Sequence, residues 1–342
     1  MARDAPLSIP HEVALRELSF VIQRDVTVCL SGEGADEIFG GYGRVQRSPM
    51  DYAKAQWFQR LPELGRNLLR RCMLKPEFAA RLACRGEVDH LCHVYHWWDI
   101  AAKRLILSGD AWRHVDGDQE LMARIQSLFD HRSAGNAYDR VFYFFQKVHL
   151  VNLLERLDIQ SMAASVEARV PYVDQRIVEF AARLPLDYKL RWKSPWHRLR
   201  GVWTASERAS GRLDIPKYLL RRLAEAELPT AIARREKLGF PVPLNAWFSG
   251  ALRDFAKEIL LDERTRARGL FDSRQLDRWL AAGGDTEFDF HGKLLWMLLN
   301  VELWLRTQID GPPLPLNTTT STQALHLVPS EKPPKDGQAQ YE

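Results

Sequence analysis

SGEGADEIFGGYGR, residues 31–44, follows directly on DVTVCL, residues 25–30, and the two together read as a strand running into a glycine-rich, acidic turn. Val26, Val28 and Leu30 form a short β-prone run, expected to be buried. The carboxyl ends of such strands are where α/β folds place their ligands. Gly32 and Gly34 let backbone approach a ligand without a Cβ in the way, and Glu33, Asp36 and Glu37 bring negative charge into the same turn. Carboxylates beside a glycine turn suit a magnesium ion on a polyphosphate, because that ion takes one or two protein carboxylates and completes its shell with phosphate oxygens and water. Ala35, Asp36 and Glu37 would equally well open a helix, where acids complement the dipole. On these residues alone both readings stand.

Working outward, helical periodicity dominates. Val13, Ala14, Leu18, Val21 and Ile22 recur at helix spacing before the strand and predict a helix-turn-strand unit packed on a sheet face. Between residues 52 and 106, large apolar residues such as Trp57, Phe58, Leu61, Phe78 and Trp97 lie among many arginines, as in surface helices with one apolar stripe each. Val141 to Met162 is apolar on nearly every side, the pattern of a central, fully packed helix. Gln175 to Leu184 sets Ile177, Phe180, Ala181 and Leu184 on one face, and Pro185 stops it. Residues 311–342, with prolines at 312, 313, 315, 329, 333 and 334 and a threonine run at 318–320, supply no core and read as a disordered tail.

Composition narrows the class. The 342 residues are 46% hydrophobic, enough for a sizeable core, and 48 basic against 44 acidic residues leave a net charge of +4, which points to neither a nucleic-acid nor a membrane partner. No apolar run reaches membrane length and residues 1–10 do not read as a signal peptide. Cys29, Cys72, Cys84 and Cys92 have no CxxC spacing and fit reduced thiols in a cytoplasmic protein. Cys84, His90, Cys92, His93 and His96 lack zinc-ribbon spacing.

Five stretches, in order, resemble the asparagine synthetase family: DAPLSIP (4–10), the opening SGEGADEIFGGYGR, RLDIQSMAASVEARVPYVD (156–174), KYLLRRLAEAELPTAIARREKLGFPVPLNAWF (217–248) and HGKLLWMLLNVELWLR (291–306). The resemblance covers most of residues 4–306. It implies an α/β fold of the Rossmann-like adenine nucleotide alpha-hydrolase type, of which this chain would be a mainly helical part, residues 1–310, with a remnant of the parallel sheet. It implies, too, that ATP activates a carboxylate, aspartate by default, as an acyl-adenylate, which ammonia converts to an amide with release of AMP; ATP and Mg2+ are the expected cofactors. Carried over by motif position, Ser31, Gly32 and Gly34 would contact nucleotide, Asp36 would bind magnesium, Glu33 would accept a proton in amide formation, and Lys237 would neutralise charge at phosphorus.

Members of the family resemble a two-part machine, with a glutaminase whose nucleophile is an N-terminal cysteine and a Ser-Gly-Gly-x-Asp-Ser phosphate loop. Neither feature occurs here: Met1 is followed by Ala2, and no Ser-Gly-Gly run is present. The expectation is therefore a chain inactive alone, with three readings open. It is half of a split ligase whose partner polypeptide brings the phosphate loop and glutaminase, a truncated remnant, or a non-catalytic helical binding module. Within the enzyme reading, relatives that form β-lactams or peptide-type amides are alternatives. Lys237, in the basic run RREKLG, also fits a solvated helix end. Arg156, Asp158, Glu167, Arg169 and Asp174 are expected to form an ion-pair scaffold beneath the site, since buried charges must be paired, and Tyr42 to be a packing residue.

Overall fold

The computed structural model describes residues 5–7, 9–67, 84, 86–96, 100–131, 135–235, 242–281 and 291–311. Lys237 and the expected tail beyond Gly311 lie outside the described residues. The chain is mainly helical, with four three-residue strands among the described residues. Helix α1 (His11–Ile22) precedes β1 (Val28–Leu30), and the acidic turn leads into the short helices α2 (Ala35–Phe39) and α3 (Gly43–Gln46). Strand β1 pairs in parallel with β2 (Glu167–Arg169), with Val28 opposite Glu167 and Leu30 opposite Arg169. Parallel pairing demands a crossover, supplied here by the helices of residues 31–166. A separate antiparallel pair joins β3 (Leu190–Trp192) to β4 (Asp214–Pro216).

The β1/β2 pair agrees with a helical chain carrying a small parallel sheet, but the strand is not buried as its sequence predicts. Val28 is 40% and Leu30 75% exposed, because nothing among the described residues covers the face they share. Helix α1 forms where its periodicity puts it, yet it packs on helix Leu150–Met162. Its most buried residues are Glu12 and Ser19, with Leu18 and Val21 left exposed. The Gln160 amide donates to Glu12 Oε2 at 3.4 Å across this contact.

The run Val141–Met162 is helical throughout but not uniform. Helix Ala137–Phe144 passes through a π-helical turn, Phe145–His149, into helix Leu150–Met162. Wide turns of this kind are frequent at functional sites. Full packing does not hold either: Val151 and Met162 are each 53% exposed.

Among the described residues, three apolar clusters form the core. Ile38, Phe39, Leu150 and Ala181 pack beneath the acidic turn, with Ile177 of helix Gln175–Arg183 and the following Leu184 against them, whereas Phe180 faces outward. Val45, Leu91, Phe129, Val141, Phe144 and Phe145 form a second cluster; Leu260, Leu276, Leu295 and Leu299 belong to the third, near the C-terminal helix His291–Trp304. A buried ion pair ties the end of α3 to the antiparallel β3/β4 pair. Arg47 Nε meets Asp214 Oδ2 at 2.5 Å, its guanidinium also donates to the Leu190 carbonyl at 2.8 Å, and it lies 4.0 Å over the Trp192 ring. No helix among the described residues is long and apolar enough to cross a membrane.

Candidate active site

The turn after β1 is shaped by two glycines with different duties. Ser31 prolongs the sheet, its N–H donating to the Arg169 carbonyl at 2.8 Å, and its hydroxyl accepts from the Glu33 N–H at 3.3 Å. Gly34 then takes φ +93°, a left-handed conformation, where a Cβ would also lie 2.7 Å from Val173 Cγ2. Gly32 differs: a Cβ there would meet nothing within 4 Å. The protein's own packing therefore gives no reason for glycine at 32, and the open space fits close approach of a ligand to the backbone.

Two cations from distant segments converge on two carboxylates of this turn. Arg156, from helix Leu150–Met162, donates to Glu33 Oε1 at 2.9 Å. Lys217, just after β4, pairs with Asp36 Oδ1 at 2.7 Å. Each of the four retains between 14 and 24% of its side-chain exposure, so both pairs remain within reach of solvent and of a ligand. Lys217 adopts φ +51°, uncommon for a residue with a Cβ, and stands at the start of helix Tyr218–Glu227, where a cation opposes the helix dipole. Both costs make sense if its ammonium is needed at Asp36. Its main chain is anchored as well, the Lys217 N–H donating to the Gly40 carbonyl at 3.2 Å.

Behind Asp36 lies a buried titratable cluster. Glu37 is 1% exposed, and burial pushes its carboxyl up to about 6, with Asp36 and Glu33 adding to the rise. The π turn delivers His149 beside it, with Nε2 3.6 Å from Glu37 Oε1. Burial, with Arg156 nearby, pushes His149 down to about 4, so the imidazole is neutral near pH 7. Neutral, it bridges two phenols: Tyr95 Oη is 2.5 Å from Nδ1 and Tyr42 Oη 3.2 Å from Nε2. Tyr42 does pack, stacking on Phe145 with centroids 5.3 Å apart, but its hydroxyl also joins this polar cluster, and burial beside Glu37 raises its pKa.

Ser31, Gly32, Glu33, Gly34 and Asp36 thus share one strand end. The expected ion-pair scaffold beneath them is only partly realised. Arg156 reaches Glu33, whereas Glu167 and Arg169 pair with each other at 2.9 Å on exposed strand β2, and Asp174 caps helix Gln175–Arg183 and pairs with Arg176. The sequence reading missed Lys217 and His149. Lys217 carried a signal, a lone cation opening a helix after DIP; His149 had none, because a π turn leaves no mark in an all-round apolar run. Asp36 and its neighbouring acids are hard oxygen donors, and no group of three or more His, Cys, Asp or Glu among the described residues is placed to hold a metal alone. That donor set suits an ion shared with substrate phosphates. Cys29, Cys84 and Cys92 are free thiols, and His90 and His96 sit against the carbonyls of Ser48 and Cys92.

Residues 1–306 match the asparagine synthase family. Over 273 residues the chain is 27% identical to asparagine synthetase [glutamine-hydrolyzing] 1 of Bacillus subtilis, covering 77% of this chain and 38% of that protein. It is 26% identical over 294 residues to asparagine synthetase [glutamine-hydrolyzing] 3 of the same organism, with 84% and 38% covered. It is also 22% identical over 264 residues to the amidase chyE of Penicillium rubens, with 72% and 37% covered. The chain spans about two fifths of the length of these curated relatives.

Proposed function

The chain belongs to the asparagine synthase family, and on that premise we propose that its β1 strand end serves ATP-dependent amide formation, with aspartate as the carboxylate and asparagine as the product. The observation that carries the proposal is the convergence of Glu33, Asp36, Arg156 and Lys217, two solvent-reaching ion pairs drawn from three distant segments, beside the open space at Gly32. In this reading β1 and β2 belong to a Rossmann-like parallel sheet, with residues 1–310 as part of one synthetase domain.

The chemistry has two halves. The substrate carboxylate attacks the α-phosphorus of ATP and expels pyrophosphate; an amine then attacks the acyl carbon, loses a proton and expels AMP. Ser31, Gly32 and Gly34 present backbone to the nucleotide, and Lys217 offers a cation to its phosphates. Asp36 would hold a magnesium ion, which supplies charge neutralisation on the triphosphate when bound. Glu33 accepts the amine's proton, and Arg156 holds that carboxylate in place. Lys237 keeps, by motif position, the role of stabilising charge at phosphorus and at the tetrahedral centre. A phosphate loop and a source of ammonia come from another segment or polypeptide.

The test supplies the 342-residue chain with a polypeptide bearing the Ser-Gly-Gly-x-Asp-Ser loop, ATP, magnesium, aspartate and ammonia, and follows asparagine and pyrophosphate. Glu33→Gln is expected to lower amide formation by about 100-fold or more while leaving ATP binding in place. Amide formation indifferent to Glu33 would refute its role.

A further inference from the structure

A cavity of about 220 Å³ lies apart from the strand end and contains none of its charged residues. It is bounded by the start of helix Ala137–Phe144, the end of helix Gln175–Arg183, and the segment 184–189. Lys189 forms part of its wall. That lysine is 4% exposed and donates no hydrogen bond among the described residues; its ammonium lies 4.4 Å from the Phe142 ring centroid and within electrostatic reach of Asp139. The stem of Lys189 is buried, whereas its ammonium opens onto the cavity and has no acceptor there among the described residues. Burial lowers its pKa to about 8, even though Asp139 pulls the other way.

Two further charges face the same space with unused capacity. The Arg183 guanidinium makes no hydrogen bond or ion pair among the described residues. Asp139 uses Oδ2 in the capping box with Asn136, leaving Oδ1 without a donor. The lining therefore offers two cations and one carboxylate around a volume below the ~300 Å³ at which pockets for drug-sized ligands begin.

We propose that this cavity is a binding site for a small free amino acid, whose carboxylate pairs with Lys189 and Arg183 and whose ammonium pairs with Asp139. A carboxylate supplies the acceptor that Lys189 lacks, and the added ammonium distinguishes the occupant from a simple anion. One contact links the site to the end of α2: a Cβ on Gly40 would lie 3.3 Å from Lys189 Cβ. This assignment is independent of the ligase reading.

The test is isothermal titration of the full chain with glycine and with L-serine, using acetate as the probe without an ammonium group. Saturable binding is expected for at least one amino acid, weakened at least ten-fold in Lys189→Met and at least three-fold in Arg183→Gln. Asp139→Asn should weaken the amino acid without weakening acetate. Arg183 is exposed, so its variant keeps the test decisive if circular dichroism shows Lys189→Met misfolded. Absence of saturation by either amino acid up to ~10 mM, or binding unchanged in Arg183→Gln and in any folded Lys189→Met, overturns the proposal.

Discussion

Gly41 holds Asp36 in position by having no side chain. A Cβ there would fall 1.4 Å from Asp36 Oδ1, so Gly41→Ala must move the carboxylate away from Lys217. A loss of about 1–3 kcal/mol in urea unfolding is expected, together with weakened magnesium-dependent nucleotide binding. Glu37 and His149 act on stability in opposite senses. Glu37 has its folded pKa raised from 4.5 to about 6, so its contribution is complete below pH 4.5 and lost as pH rises through 6. His149 has its pKa lowered from 6.5 to about 4, so its contribution is present above pH 6.5 and lost as pH falls through 4. Between these limits the two slopes oppose each other. Glu37→Gln should therefore raise Tm relative to the parent above pH 6, by the equivalent of about 2 kcal/mol, with the gain vanishing below pH 4.5. A Tm difference independent of pH would show that Glu37 is not the buried acid described. At this scale the glycines and acids of residues 31–37 marked out the candidate site, and the structure brings them together at one strand end. Lys217 entered only as part of a longer stretch and Arg156 only as one of five expected scaffold charges, because their partners lie 181 and 123 residues away.

Among elements, the antiparallel β3/β4 pair is tied to α3 by a buried ion pair. Asp214 accepts from Arg47 Nε at 2.5 Å and from the Gly211 N–H at 2.7 Å, with its side chain fully buried. Asp214→Ala strands the Arg47 charge and should cost about 3–5 kcal/mol in chemical denaturation; a cost below about 1 kcal/mol would place that pair in solvent. Local pattern located α1, β1 and the helix stopped by Pro185, since periodicity and proline act over a few residues. It did not tell what each element packs against. The run Val26, Val28, Leu30 reads as core, yet Leu30 is three-quarters exposed, because burial depends on a covering element that a strand's own residues do not encode. The π turn at Phe145–His149 was equally hidden, and it is what seats His149 between two tyrosines.

In the whole molecule, distant parts of the chain are folded together to present Glu33 and Asp36, with their cations, at the end of a parallel strand. Family resemblance in five ordered stretches made that assembly legible in outline, whereas the pairing of Asp36 with Lys217 required the fold. The most direct measurement is calorimetric titration of the full chain with ATP, with and without magnesium, beside an Asp36→Ala variant of unchanged circular dichroism. Saturable, magnesium-dependent binding, weakened at least ten-fold in Asp36→Ala, is the predicted result. Absence of binding by the folded parent chain, or binding unchanged by removal of Asp36, would contradict a nucleotide site at the end of β1.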